Sequence, residues 1–230
     1  MKKTTLLLAS PNEQVWGWRY LAFQTIFLSW LLVFATVLLG IALSSAGYNF
    51  LYFAVNFIGV LIIFHRFLQA SVKDVLDRLP RVVLTAAVFF VIYEIANILL
   101  ALLLASLNLS VSNVNDQSIA AMTQDNYLLM AIGTVFLVPL AEECLLRAAV
   151  FGSLRRRHPA AAYLVSTALF CLIHISGYLG SYPLPTLLLC FVKYVPAGLC
   201  LAAAYEVSGS IFAPILIHTA VNTLGMLAMR

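Results

Sequence analysis

Residues 140–147 read LAEECLLR, and they lie inside an apolar run from Tyr127 to Leu154. A run of that length reads as a membrane helix. A charged side chain at the centre of such a helix costs about 3 kcal/mol on insertion scales, so Glu142, Glu143 and Arg147 need partners, a wet cavity or a chemical task to be retained there. Glu143 and Arg147 stand at i and i+4 on one helix face, where an intrahelical ion pair is expected. Glu142 lies about 100° round the helix from Glu143 and has no basic residue three or four positions away, so it is the carboxylate left over. Pro139 cannot donate to the Val135 carbonyl and predicts a kink just ahead of the charges, either an ordinary packed bend or irregular backbone beside a cavity.

The composition agrees with a membrane helix at this position. Of the 230 residues 63% are hydrophobic and 10% charged, and the mean hydropathy is +1.00. These values belong to a polytopic membrane protein rather than a soluble domain. The expected fold class is therefore all-α, a membrane helical bundle forming a single domain over residues 1–230. The start, MKKTTLLLAS, has a basic flank but too short an apolar core for a cleaved signal peptide, and the first helix is expected to act as the anchor. The basic residues are spread over short loops without an aromatic-basic patch, so the net charge of +4 points to membrane orientation and to no nucleic-acid partner.

About seven spans are expected, near 20–44, 48–65, 82–107, 127–153, 160–178, 186–205 and 210–229. Lys2, Lys3 and Arg19, then Arg66, Lys73, Arg78 and Arg81, then Arg155, Arg156 and Arg157 fall in loops on one side, ten of the 13 basic residues. Arg230 alone falls on the other side, while Arg147 and Lys193 sit within spans. This bias predicts a cytoplasmic N-terminus and a multi-pass protein of the cell membrane in contact with lipid. Residues 71–81 are expected as a short amphipathic surface segment or a plain connector, and 108–126 as the longest polar link on the far side. Asn108-Leu109-Ser110 fits a glycosylation tripeptide but is discounted as common and close to the membrane. Cys144, Cys171, Cys190 and Cys200 fall within spans, lack CxxC spacing and read as small buried apolar residues.

Two further polar pairs join the acidic stretch. Phe170 and His174 share a face of the fifth span, and His218 and Asn222 share a face of the seventh. Counting about 1.5 Å per residue from the cytoplasmic helix ends puts Glu142 roughly 18 Å deep, His174 roughly 21 Å and His218 roughly 12 Å, with Asn222 about 6 Å beyond it. All four can meet near one level. Glu94 and Lys193 reach similar depths and are expected as supporting polar contacts.

The ordered set EExxxR (Glu142 to Arg147), FxxxH (Phe170 to His174) and HxxxN (His218 to Asn222) resembles the CPBP family of intramembrane proteases, which includes CAAX prenyl endopeptidases and bacteriocin-processing or self-immunity proteins. The resemblance covers residues 127–229, a protease-like core that includes Tyr205-Glu206 and Gly209-Ser210. It implies hydrolysis of a peptide bond by water in a cavity open to the cytoplasmic side. By the same resemblance Glu142 is the general base, His174 helps hold and activate the water, and His218 with Asn222 stabilises the oxyanion. Glu143, Arg147 and Phe170 are implied to support them. The expected partner is a membrane-associated peptide or protein substrate.

No cofactor is favoured. Zinc is the alternative, held by Glu142, His174 and His218, but HExxH is absent and Asn is a poor zinc ligand, so a metal-independent glutamic mechanism is preferred. A non-proteolytic scaffold or bacteriocin self-immunity protein is the competing class, and a proton-relaying transporter using Glu94, Glu142 and Lys193 a third, disfavoured because no internal repeat occurs.

Overall fold

The computed structural model describes residues 6–109 and 112–230, and Lys2, Lys3 and Ser110 of the sequence arguments lie outside the described residues. The described chain is helical. Six helices are long and apolar enough to cross a membrane: α1 Pro11–Leu38, α2 Ser45–Ile63, α3 His65–Ser106, α4 Val114–Arg155, α5 Pro159–Tyr178 and α6 Leu184–Ser208. A shorter apolar helix of 17 residues, α7 Phe212–Ala228, completes a bundle of seven. The chain is a multi-pass membrane protein.

The first boundary moves from the expected residue 20 to residue 11, because Ser10-Pro11-Asn12-Glu13 forms a capping box. Ser10 Oγ accepts from Glu13 N at 3.3 Å and Glu13 Oε2 accepts from Ser10 N at 2.8 Å. Glu13 is buried because its other oxygen accepts from Phe67 N at 2.8 Å, where α3 begins.

The stretch 71–81, expected as an amphipathic segment or a plain connector, and much of the polar link 108–126 are helical. Residues 71–81 continue α3, whose backbone breaks only at Arg78 (φ −130°, ψ 19°), two residues before Pro80. Asp74 and Arg78 form an i,i+4 ion pair that favours the helix over a surface loop. The polar link is helical from Val114 because Asn113 Oδ1 caps it by accepting from Asn115 N at 3.1 Å. At Asn126 the helix breaks (φ −152°, ψ 93°), and Asn126 Oδ1 restarts it by accepting from Leu129 N at 3.1 Å. Asp125 Oδ2 accepts from Ala46 N at 2.9 Å and so caps the start of α2.

The core is built round the inner half of α4. Each residue from Cys144 to Phe151 is at most 1% exposed, as befits a segment with helices on every side. Helix α1 packs on one side of it and α5 on another, α6 lies against both α5 and α3, and α7 runs beside α3 and α6. Gly17 allows the approach of α1, since a Cβ there would lie 2.5 Å from the Ala149 Cβ. Two π-helical segments, Gly133–Leu137 and Cys144–Phe151, flank the LAEE turn. Each slips the register by one residue, and such segments recur at functional sites.

Candidate functional site

The expected ion pair is present and fully buried: Arg147 Nε donates to Glu143 Oε2 at 2.9 Å, with both side chains at 0% exposure. Arg147 Nη1 donates to Ser166 Oγ at 3.3 Å, and the guanidinium lies 5.4 Å from the centre of the Phe170 ring. Glu143 has one more partner, because its Oε1 accepts from His218 Nδ1 at 3.0 Å. One buried carboxylate therefore couples the EExxxR helix to the HxxxN helix.

Glu142 differs from its neighbour. Its Oε2 is buried without a hydrogen-bond partner among the described residues. Two imidazoles point at that oxygen, His174 Nε2 at 3.9 Å and His218 Nε2 at 4.0 Å. Each ring is fixed from behind. His174 Nδ1 donates to the Phe170 carbonyl at 2.7 Å, the i−4 contact that the FxxxH spacing permits. A carbonyl and a carboxylate offer only lone pairs, so the Nδ1 atoms carry the hydrogens and both Nε2 atoms are turned towards Glu142.

His174 is also held between two rings. Phe170 lies 4.6 Å from it and Tyr194 of α6 4.3 Å, centre to centre. Tyr194 is in turn anchored by Asn113, whose Nδ2 donates to the Tyr194 Oη at 2.9 Å. Tyr194, Ser166 and Thr134 were not singled out by the sequence, because each meets the site across a helix interface.

Asn222 shares the cavity but is partly committed: its Nδ2 donates to the Thr134 carbonyl at 2.8 Å. The cause is Pro139. In the π register Val138 N donates five residues back to the Gly133 carbonyl, so the next donor, aimed at Thr134, would be the nitrogen of Pro139, which has no hydrogen. The expectation that the Val135 carbonyl is orphaned is thus corrected by one residue. Asn222 satisfies the Thr134 carbonyl with one amide hydrogen and keeps the other.

Glu142, His174, His218 and Asn222 line one cavity of about 1770 Å³. Its walls come from residues within 24–56, 93–142, 173–194 and 218–229, with Lys193 among them and Tyr93, the neighbour of Glu94. The lining reaches Leu43, Leu104, Asn113, Leu179 and Met229, at the end of the bundle opposite Arg155, Arg156 and Arg157. The resemblance had implied an opening on the side of the basic loops. That side is filled instead, because the whole inner half of α4 is packed there.

Fold and site define a multi-pass membrane protein with a carboxylate and two histidines gathered in one large cavity of mixed polar and apolar lining. Residues 124–224 match the family model described as Rce1-like, type II CAAX prenyl endopeptidase. It is also similar to UPF0177 protein YxdF of Lactococcus lactis subsp. lactis, 32% identical over 94 residues, which are 41% of this chain and 46% of that protein. The chain thus matches about half the length of this curated relative. No solved structure matches.

Proposed function

We propose that the chain is an intramembrane endopeptidase that hydrolyses a peptide bond of a membrane-associated protein or peptide. The observation that carries this reading is the convergence of Glu142 Oε2 with the Nε2 atoms of His174 and His218 on one side of a cavity. The family match includes all three residues and Asn222. A single water hydrogen-bonded at ~2.8 Å to atoms about 4 Å apart would subtend roughly a right angle at its oxygen, which is compatible with such a bridge. It would donate to Glu142 and to the His174 Nε2 and accept from His218 in its imidazolium form, which the Glu142 and Glu143 carboxylates flank, so that the two carboxylates together match His218 and Arg147. Glu142 takes one proton as the water oxygen attacks the scissile carbonyl, and later gives it to the leaving amine as the C–N bond breaks. His218 and the second amide hydrogen of Asn222 donate to the oxyanion.

Zinc is a second reading, favoured by one observation: both histidines donate Nδ1 outward, to a carboxylate and a carbonyl, as metal-bound histidines do. Glu142, His174 and His218 would hold the ion, which would supply Lewis acidity and a more acidic bound water. Ligands at ~2.1 Å in a tetrahedral site lie roughly 3.4 Å apart, closer than the 3.9 and 4.0 Å separations here, and we favour water. Cleavage of a peptide library by the purified protein, with and without a strong chelator, tests both readings. Unchanged turnover after chelation is expected, and loss that added zinc restores would overturn the metal-independent mechanism. Absence of cleavage under every condition would favour the scaffold or self-immunity class.

A further inference from the structure

The loop charges and the cavity point to opposite ends of the bundle. Arg66, Lys73, Arg78, Arg81 and Arg155–Arg157 gather at one end, which the positive-inside bias makes cytoplasmic. The cavity walls belong to the other half of every helix that contributes to it, and the site forms the floor, beside Asn56, Glu142 and His218.

The basic end is closed by more than packing. Tyr205, fully buried, donates from Oη to the Leu7 carbonyl at 2.5 Å, and Leu7 N donates to the Gly209 carbonyl at 3.1 Å, so the N-terminal segment is strapped across the α6–α7 turn. Gly209 holds that turn at φ +77°, a conformation glycine adopts without strain. Trp18 Nε1 donates to Ser153 Oγ at 3.0 Å, Arg81 donates to the Val207 carbonyl at 2.6 Å, and Glu206 binds both Arg155 and the Tyr163 hydroxyl. Between these ties and the site lies the fully buried Glu143–Arg147 pair.

We propose that the site takes its peptide from the non-cytoplasmic face, so that its substrates are exported or outer-surface peptide segments and not a C-terminus presented in the cytoplasm. The proposal rests on the proteolytic reading above. The size of the cavity fits it: about 1770 Å³ exceeds the roughly 300–1,000 Å³ of small-ligand sites and has room for an extended segment of chain.

Gly225→Cys and Arg157→Cys report the two ends. Gly225 lines the cavity, a Cβ there meets nothing within 4 Å, and the four native cysteines are buried, so background is low. In intact cells a membrane-impermeant maleimide is expected to label Gly225→Cys at least about tenfold more than Arg157→Cys, which should react only after permeabilisation. The reverse pattern overturns the proposal. So does labelling of both in intact cells, or failure of Gly225→Cys to react even after permeabilisation.

Sealed proteoliposomes, their orientation scored by the same labelling, then receive a peptide library from outside. Cleavage should rise with the fraction exposing Gly225, and cleavage that follows the fraction exposing Arg157 overturns the assignment. No cleavage, even in detergent, overturns the proteolytic reading and with it the substrate class. The maleimide pattern then still decides which face the cavity opens to.

Discussion

Glu142 and Glu143 are neighbours with opposite surroundings. Glu143 is fully buried and serves Arg147 and His218, while the Glu142 side chain is 20% exposed to the cavity and has an oxygen to spare. Glu143→Gln strands Arg147 in a low-dielectric core, and breaking a buried pair from one side costs about 3–5 kcal/mol. Melting in detergent is expected to drop accordingly. Glu143→Gln with Arg147→Met should regain much of the stability, because neither charge remains, but not the turnover. His218 then still lacks its carboxylate, and losing a supporting contact of that kind costs about 10- to 100-fold. Recovery of both would show that Glu143 serves the fold alone. The pair was legible in the sequence from its i,i+4 spacing. The bond to His218 was not, because it joins residues 75 positions apart across a helix interface, and no spacing rule within one helix reaches that far.

At the scale of the element, the kink ahead of the site was legible from Pro139, but its register was not. A π segment moves the orphan carbonyl from Val135 to Thr134, and with it the partner of Asn222. Pro139→Ala returns a donor to Thr134 and removes a helix-breaking residue, whose cost in a helix interior is about 3 kcal/mol. The melting temperature should rise and turnover should fall, as Asn222 loses its anchor. A rise in both would dissociate Asn222 from the Thr134 carbonyl. Asn222→Ala should slow turnover by about 10² to 10³ with little change in KM, if its free amide hydrogen meets the oxyanion. An effect confined to KM would make it a substrate contact. Helix starts were missed where a short polar side chain caps the next turn. Ser10 and Asn113 both sit in stretches that average hydropathy assigns to loops, whereas the restart capped by Asn126 falls where the span at 127 was expected.

At the scale of the molecule, composition and periodicity are sufficient for an all-α bundle of seven helices, and depth counting brings the three motifs to one level. They leave open which half of the bundle is filled, because depth along an axis does not tell packing from solvent. That follows from the lateral neighbours of Cys144–Phe151, which only the assembled helices supply.

The site itself is tested most directly by turnover and melting of purified Glu142→Gln beside the wild type. Removing the carboxylate without changing its shape should lower kcat/KM by about 10² to 10⁴, while the melting temperature stays near that of the wild type, since Glu142 Oε2 holds no hydrogen bond among the described residues to lose. An active Glu142→Gln, paired with a stable and inactive Glu143→Gln, would contradict the assignment of Glu142 as the base.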